Sequence, residues 1–487
     1  MCGTEHLHLC QNLLTHTKVQ NQTKMSKTAV KQIIPFFVLA IFAITSLFFS
    51  PKETFAVVAE YNTGDIAWVL MSTALVFLMT PGLAFFYGGM VNRKNVISTM
   101  IKSVVAAGIV SVLWIVCGYS MSFGTSLGGI IGNPTTHLFY TGVLSGSPWF
   151  GGPTIPLSLF SVFQLMFAII TPALVVGALA ERVKFLSYVL FIILFAMLIY
   201  FPVCHWAWHP DGLLFKMGVL DFAGGTVVHI TAGCAALAGA IVLKRRKSHK
   251  ENREANPANV PYVLIGTGLL WFGWFGFNGG SALGANALAA SAFTTTNVAA
   301  ATAGLSWMFF DIIRGKKPSV LGFCIGAVVG LVAITPGAGF VGIAHSISIG
   351  FIAAIISNLA VSLRSISNVD DTLDVFPCHG IGGMVGMLMT GVFASKTVNS
   401  AGADGLFFGN FEFFFTQLKG MLLVSVYSFV VAWIIFNLIN LVNPIRVTED
   451  EEEAGLDETQ HGENYVQGTL LVRKDNEILE FENNGHH

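Results

Sequence analysis

With 487 residues, 54% of them hydrophobic and only 11% charged, the chain lacks the polar surface of a soluble domain, in which roughly a quarter of residues are charged. A net charge of −1 excludes a strongly basic nucleic-acid binder and leaves the lipid bilayer as the bulk partner of a polytopic membrane protein. The seven cysteines contain no CxxC pair and indicate neither a disulfide framework nor a zinc site.

In chain order, residues 1–24 are polar and aperiodic and read as a non-structural extension. Residues 25–59 carry Lys27 and Lys31, an apolar run from Ile33 to Phe49 and small residues near Ala56 and Ala59, the layout of a signal peptide; the alternative is an uncleaved extra helix. Eleven apolar stretches follow, near 65–90, 96–121, 156–180, 185–206, 221–243, 261–284, 288–313, 318–335, 339–362, 375–396 and 412–443. Each is long enough to cross about 30 Å of hydrocarbon. The predicted transmembrane domain is thus all-α and spans 60–446, with a tail at 447–487.

Positive charge sets the predicted orientation. Arg93 and Lys94, Arg182 and Lys184, the run KRRKSHKENR at 244–253, Arg314 with Lys316 and Lys317, Arg364, and Arg446 all follow odd-numbered spans. The N-terminus therefore starts outside and the C-terminus ends in the cytoplasm.

Two spans open alike. Asp221 to His229 begins the fifth and Asp371 to His379 the tenth, with the same eight-residue interval. Five helices per half places the two segments in opposite orientations, an inverted 5+5 repeat plus a final helix. Eight helical residues carry each histidine about 12 Å inward, so the imidazoles meet near the midplane. Small residues follow on one face of each helix, Ala232, Gly233, Ala236 and Ala240 on one and Gly382, Gly383, Gly386 and Thr390 on the other, which permits close approach. A lone histidine on an apolar face is usually a hydrogen-bonded core residue, but two matched ones at mid-bilayer point to an ion or proton path. A bis-histidine haem with His229 and His379 as axial ligands is the alternative from another class.

Five pieces in order, GALAERVKF (177–185), DFAGGTVVHITAG (221–233), WFGFNGGSA (274–282), DDTLDVFPCHGIGGMVG (370–386) and GLDETQHGENY (455–465), closely resemble the ammonium transporter family (Amt/Mep/Rhesus), of bacterial type, over roughly residues 60–466. The resemblance implies a transporter rather than an enzyme, without cofactor or metal, in the cell inner (plasma) membrane. It implies that His229 and His379 line the pore, and that Phe167 and Phe277 form its outer gate. Trp208, Phe163 and Ser281 would recruit ammonium, or methylammonium as its analogue, and Asp221 would support that vestibule. In HWAWHPDGLL the family's glycines after the vestibule tryptophan are missing, so Trp206 competes with Trp208; nearness to Gly212 and Leu213 favours Trp208.

The resemblance implies a sequence of recruitment, deprotonation at the gate, conduction of ammonia past the histidines and reprotonation inside, with proton co-movement left open. An unpaired ion in hydrocarbon costs tens of kcal/mol by Born estimates, so a dry pore rejects potassium. After Arg446 the acidic TEDEEEAGLDETQHGENY has the composition of a solvated segment. The resemblance instead implies packing beneath the pore, a homotrimer, and a cytoplasmic P-II-type regulator as partner. Residues 467–487 read either as a short hairpin turning at RKDN or as a disordered end. A sensor role also stays open, although no appended output domain follows the last span.

Overall fold

The computed structural model describes residues 27–49, 60–251, 253, 256–465, 472–474 and 477–479. One unit, up to Lys52, holds the helix α1 (Lys27–Ser46), inside the segment read as a signal peptide or extra helix. The rest of the chain forms a second unit.

That unit is a helical bundle: α2 Thr63–Met90, α3 Arg93–Phe123, α4 Leu157–Leu179, α5 Phe185–Lys216, α6 Gly225–Leu243, α7 Val260–Ala282, α8 Ala287–Ile313, α9 Val320–Ile334, α10 Ile343–Ser365, α11 Phe376–Phe393 and α12 Phe411–Val442. Nine of these, all but α8 and α9, are long and apolar enough among the described residues to cross a membrane. Helix α8 is diluted by Ala and Thr, and α9 has only 15 residues. Regular backbone is obligatory in such segments, because lipid offers no partner for an unpaired N–H or C=O.

Polar side chains mark where the helices start. Asn62, Asn259, Asn286, Ser319 and Asn410 each accept a hydrogen bond from the first turn of α2, α7, α8, α9 and α12. These caps satisfy N–H groups that no helical carbonyl reaches. Helix α4 is buried almost throughout and packs against α2, α3 and α6. Helix α6 lies against α12, α4 and the start of α11, so the two histidine-bearing segments sit together at the centre.

Two expectations need correction. The fifth span was read as helical from Asp221, but helix begins only at Gly225, after Gly224 in the left-handed region at φ 117°. It begins there as a π-turn, Gly225–Ile230, and α11 begins likewise with Phe376–Ile381. The acidic tail is also less solvated than its composition suggests. Its helix α13 (Glu449–Ala454) is closed by a Thr448–Glu451 capping box, and Glu452 and Asp457 are buried. Glu452 accepts from the backbone N–H of Lys247 and from Arg446, while Asp457 accepts from the N–H groups of Ile97 and Ser98. A carboxylate at that helix start also complements the helix dipole.

Of the cations used to predict orientation, Arg182 and Arg246 are buried in an ion-pair network rather than solvated. Arg246 donates to Asp370 through the Nε and Nη2 edge of its guanidinium and to Glu181 through Nη1 at 2.5 Å. Burial alone would raise the Asp370 carboxyl, yet hydrogen bonds and charge from Arg246 and Arg182 outweigh it and hold the group well below the usual carboxylate range. Beyond the bundle, Val472–Lys474 and Glu477–Leu479 pair antiparallel, the hairpin alternative for that segment; Arg473 and Lys474 lie in a strand, and residues 475 and 476 fall outside the described residues.

Candidate functional site: a chamber, a gate and a histidine pair

The site begins with how the chain enters α6. The Asp221 carboxylate accepts from the backbone N–H groups of Gly224, Gly225 and Thr226, at 2.8, 2.6 and 2.7 Å, and from the Thr226 hydroxyl. It thus caps the helix that carries His229, one turn and more away from any contact with that ring. Its backbone carbonyl accepts the Trp208 indole N–H at 2.9 Å, which fixes the tryptophan's tilt. Asp221 supports the chamber by both routes.

The chamber is a cavity of about 390 Å³. Phe163, Phe167, Trp208, Asp221 and Ser281, predicted from distant parts of the sequence, all line it. The Ser281 hydroxyl donates to the Phe277 carbonyl at 2.8 Å, which leaves its oxygen lone pairs as acceptors. Trp206 lies elsewhere. Its indole N–H donates to the Ile130 carbonyl at 2.7 Å and its ring packs on Tyr427, so of these two tryptophans it is Trp208 that lines the chamber.

At the floor, Phe167 and Phe277 meet with centroids 4.3 Å apart. Phe167 faces the chamber and Phe277 a second, narrow cavity, so the contact between the two rings separates the spaces. Both rings are buried. The narrow cavity is lined by His229, His379, Trp274, Phe277 and aliphatic side chains from α2, α4, α6, α7 and α9.

The imidazoles of His229 and His379 lie with Nδ1 atoms 3.4 Å apart and rings nearly parallel, at 27°. One shared proton between two Nδ1 atoms makes one ring donor and the other acceptor. The His229 Nε2 has no hydrogen-bond partner among the described residues. Direct contact leaves no room for a porphyrin plane between the rings, which removes the bis-histidine haem. The contact depends on backbone approach, because a Cβ on Gly233 would lie 2.2 Å from the Cα of Gly380.

Three residues escaped the sequence reading. Trp274 stacks on His229 with centroids at 5.3 Å and donates its indole N–H to Thr335 at 2.9 Å. It lies one helical turn before Phe277, so i, i+3 spacing in WFGF was the available signal. Gln164, one turn before Phe167, lines the chamber with its side-chain oxygen unpartnered. Trp149 lines it from the irregular 124–156 connection, where no periodicity marks a facing residue.

A multi-pass helical protein with an aromatic chamber, a Phe167–Phe277 contact at its floor and a buried apolar cavity containing two imidazoles has the build of a membrane transport protein. Comparison with known proteins agrees. The pattern of the Ammonium Transporter Family matches residues 67–466. A putative ammonium transporter of Methanothermobacter thermautotrophicus is 48% identical over 405 residues, 82% of this chain and 98% of that protein. An ammonium transporter of Bacillus subtilis is 45% identical over 410 residues, 84% and 99% of the two chains. Among solved structures, Saccharomyces cerevisiae Mep2 superposes with a TM-score of 0.76 at 33% identity, covering 80% of this chain and 89% of that one. A structure described as a sensor Amt protein gives 0.75 at 31%, covering 82% and 98%. The chain belongs to the ammonium transporter family. It is a multi-pass membrane protein whose relatives are transporters, not enzymes.

Proposed function

We propose that the protein moves ammonium across the plasma membrane by recruiting the cation in the chamber and passing ammonia, its neutral base, through the histidine cavity. The observation that carries this reading is the Phe167–Phe277 contact, which divides a wide chamber from a narrow apolar space. Aromatic faces of Trp208, Phe163 and Phe167 attract an ammonium ion by cation–π contact worth about 0.5–2 kcal/mol each, and the Ser281 oxygen accepts one of its N–H bonds. Below the gate no full charge among the described residues faces the space, so an ion that cannot shed a proton meets the whole desolvation cost. Ammonia crosses by exchanging weak contacts with the imidazole edges.

In this reading Asp221 holds the chamber wall and the histidine helix in register, and His229 and His379 offer a proton relay. The chain crosses eleven times, as an inverted 5+5 repeat plus a final helix, from an outside N-terminus to a cytoplasmic C-terminus. The matched starts of α6 and α11 support the repeat, and the loop lysines and arginines support the orientation. Function as a homotrimer and docking of a P-II-type regulator on the tail side rest on the family resemblance.

Current recording on liposomes holding the protein, with ammonium and then potassium, tests the reading. Ammonium uptake without potassium current is the expected outcome, and His229→Asp should admit potassium. If changing both histidines left potassium exclusion intact, the filter would lie elsewhere. The likeness to a sensor Amt protein keeps a sensing role as a second reading; loss of labelled methylammonium uptake from an otherwise folded protein would favour it.

A further inference from the structure

The chamber is much larger than its substrate. Ammonium is close to a water molecule in size, and about 10–15 Å³ of space open to a water's centre holds one water, against about 390 Å³ on the same measure here. Its walls are mostly rings: Trp149, Phe160, Phe163, Phe167, Trp208 and Phe215 among them. The one full charge that lines it among the described residues, the Asp221 carboxylate, is committed to capping α6 through Gly224, Gly225 and Thr226. Charge pairing therefore has little part in selecting what enters, and ring faces have most of it.

Trp149 is the wall that no motif assigns. Its ring lies parallel to Phe160 at 5.1 Å and 11°, with Phe123 edge-on at 5.2 Å and His209 at 5.6 Å. Held on these sides, it needs little reordering to receive a ligand, which reduces the entropy lost on binding. Trp208 is likewise fixed by its indole hydrogen bond. Two immobilised tryptophans, both half-buried, and the phenylalanines that line the same cavity supply the ring faces of an aromatic cage of the kind that binds alkylated ammonium groups.

We propose that this chamber is a binding site for fully alkylated ammonium ions, with Trp149 as a principal ring, and that such ions block the protein. The inference rests on the transport reading only for the block. A quaternary ammonium ion has no N–H bond, so it cannot shed a proton at the gate and has no neutral form to send past Phe167 and Phe277. It occupies the chamber and stops there, in competition with ammonium.

The test is labelled methylammonium uptake into liposomes bearing the full chain, with tetramethylammonium outside, beside calorimetric titration of tetramethylammonium into the purified protein. The expected result is a rise in apparent KM with unchanged maximal rate, together with measurable binding. Trp149→Ala should need on the order of tenfold more blocker, measured against that variant's own uptake, and Trp149→Phe, which keeps a ring, only a few-fold more. Absence of both block and binding in the unaltered protein overturns the proposal, as does a blocker sensitivity that neither substitution moves. Failed uptake without blocker counts against the transport reading alone, because the titration still reports whether the chamber binds.

Discussion

The starts of α6 and α11 solve one problem with different chemistry. In each, an aspartate accepts from the N–H groups four and five residues on, Asp221 from Gly225 and Thr226 and Asp371 from Val375 and Phe376. In each, the third residue on is left-handed, a π-turn follows, and histidine comes eight residues after the aspartate. But the left-handed residue is Gly224 in one and Asp374 in the other, at φ 117° and 57°. Glycine adopts that region without strain, whereas a residue with a Cβ must be held there. Asp374 is held by Arg364, whose Nε donates to its carboxylate at 2.8 Å. The first start is maintained by backbone freedom and a fully used carboxylate, the second by the Arg364–Asp374 contact.

The comparison breaks most severely where the two helices meet. Gly233→Ala places a methyl 2.2 Å from backbone atoms of Gly380, which cannot yield without separating α6 from α11. A loss of about 3 kcal/mol in stability is expected, with uptake reduced by an order of magnitude, read by thermal unfolding and methylammonium flux. Gly268→Ala, with nothing within 4 Å of the new methyl, is the neutral control. Next in size, Asp221→Ala orphans four buried N–H groups and the Thr226 hydroxyl, an expected cost of about 2–3 kcal/mol. Asp371→Ala orphans two and should cost about 1–2 kcal/mol. Equal losses would show that the two starts are not held differently.

Much of this was legible in the residues. The eight-residue interval and the small residues after each histidine carry spacing signals, because helices turn sequence distance into facing direction, whereas the aromatic positions 163, 167, 208 and 277 were legible only through the family resemblance. The π-turns were not legible. Nothing in GTVVHI or FPCHGI distinguishes a π-turn from an α-helical start, since the choice is made by where Asp221 and Asp371 can reach the next N–H groups. Trp149 was hidden for the opposite reason, lying in a connection without period. The burial of Arg182 and Arg246 was not legible either, because positive charge beside a span reads alike whether or not a buried carboxylate such as Asp370 awaits it.

The left-handed position sharpens the contrast at smaller scale. Gly224→Ala forces a side chain into φ 117° and 2.8 Å from the Val228 side chain, an expected loss of about 1–2 kcal/mol. Asp374→Gly relieves backbone strain but gives up the Arg364 ion pair, so the two effects offset and the melting point should hardly move. A large loss would mean that the ion pair, not the backbone, governs the second start.

The smallest expected effect is a slope with pH. Burial raises the Asp374 carboxyl to about 7, with Arg364 opposing and Asp371 adding to the rise. A folded-state pKa above the unfolded value of about 3.9 means that the folded protein holds the proton more tightly. The stabilisation is therefore complete below about pH 4 and lost as pH rises through about 7. Asparagine tolerates left-handed backbone and cannot ionise, so Asp374→Asn should melt with the unaltered protein near pH 5 and gain on it by pH 8. Gly224 has no titrating counterpart, and a variant there should run parallel to the unaltered protein over the same range. Parallel curves for Asp374→Asn as well would show that Arg364 keeps the carboxylate ionised throughout, and the second start would then be held by charge at every pH.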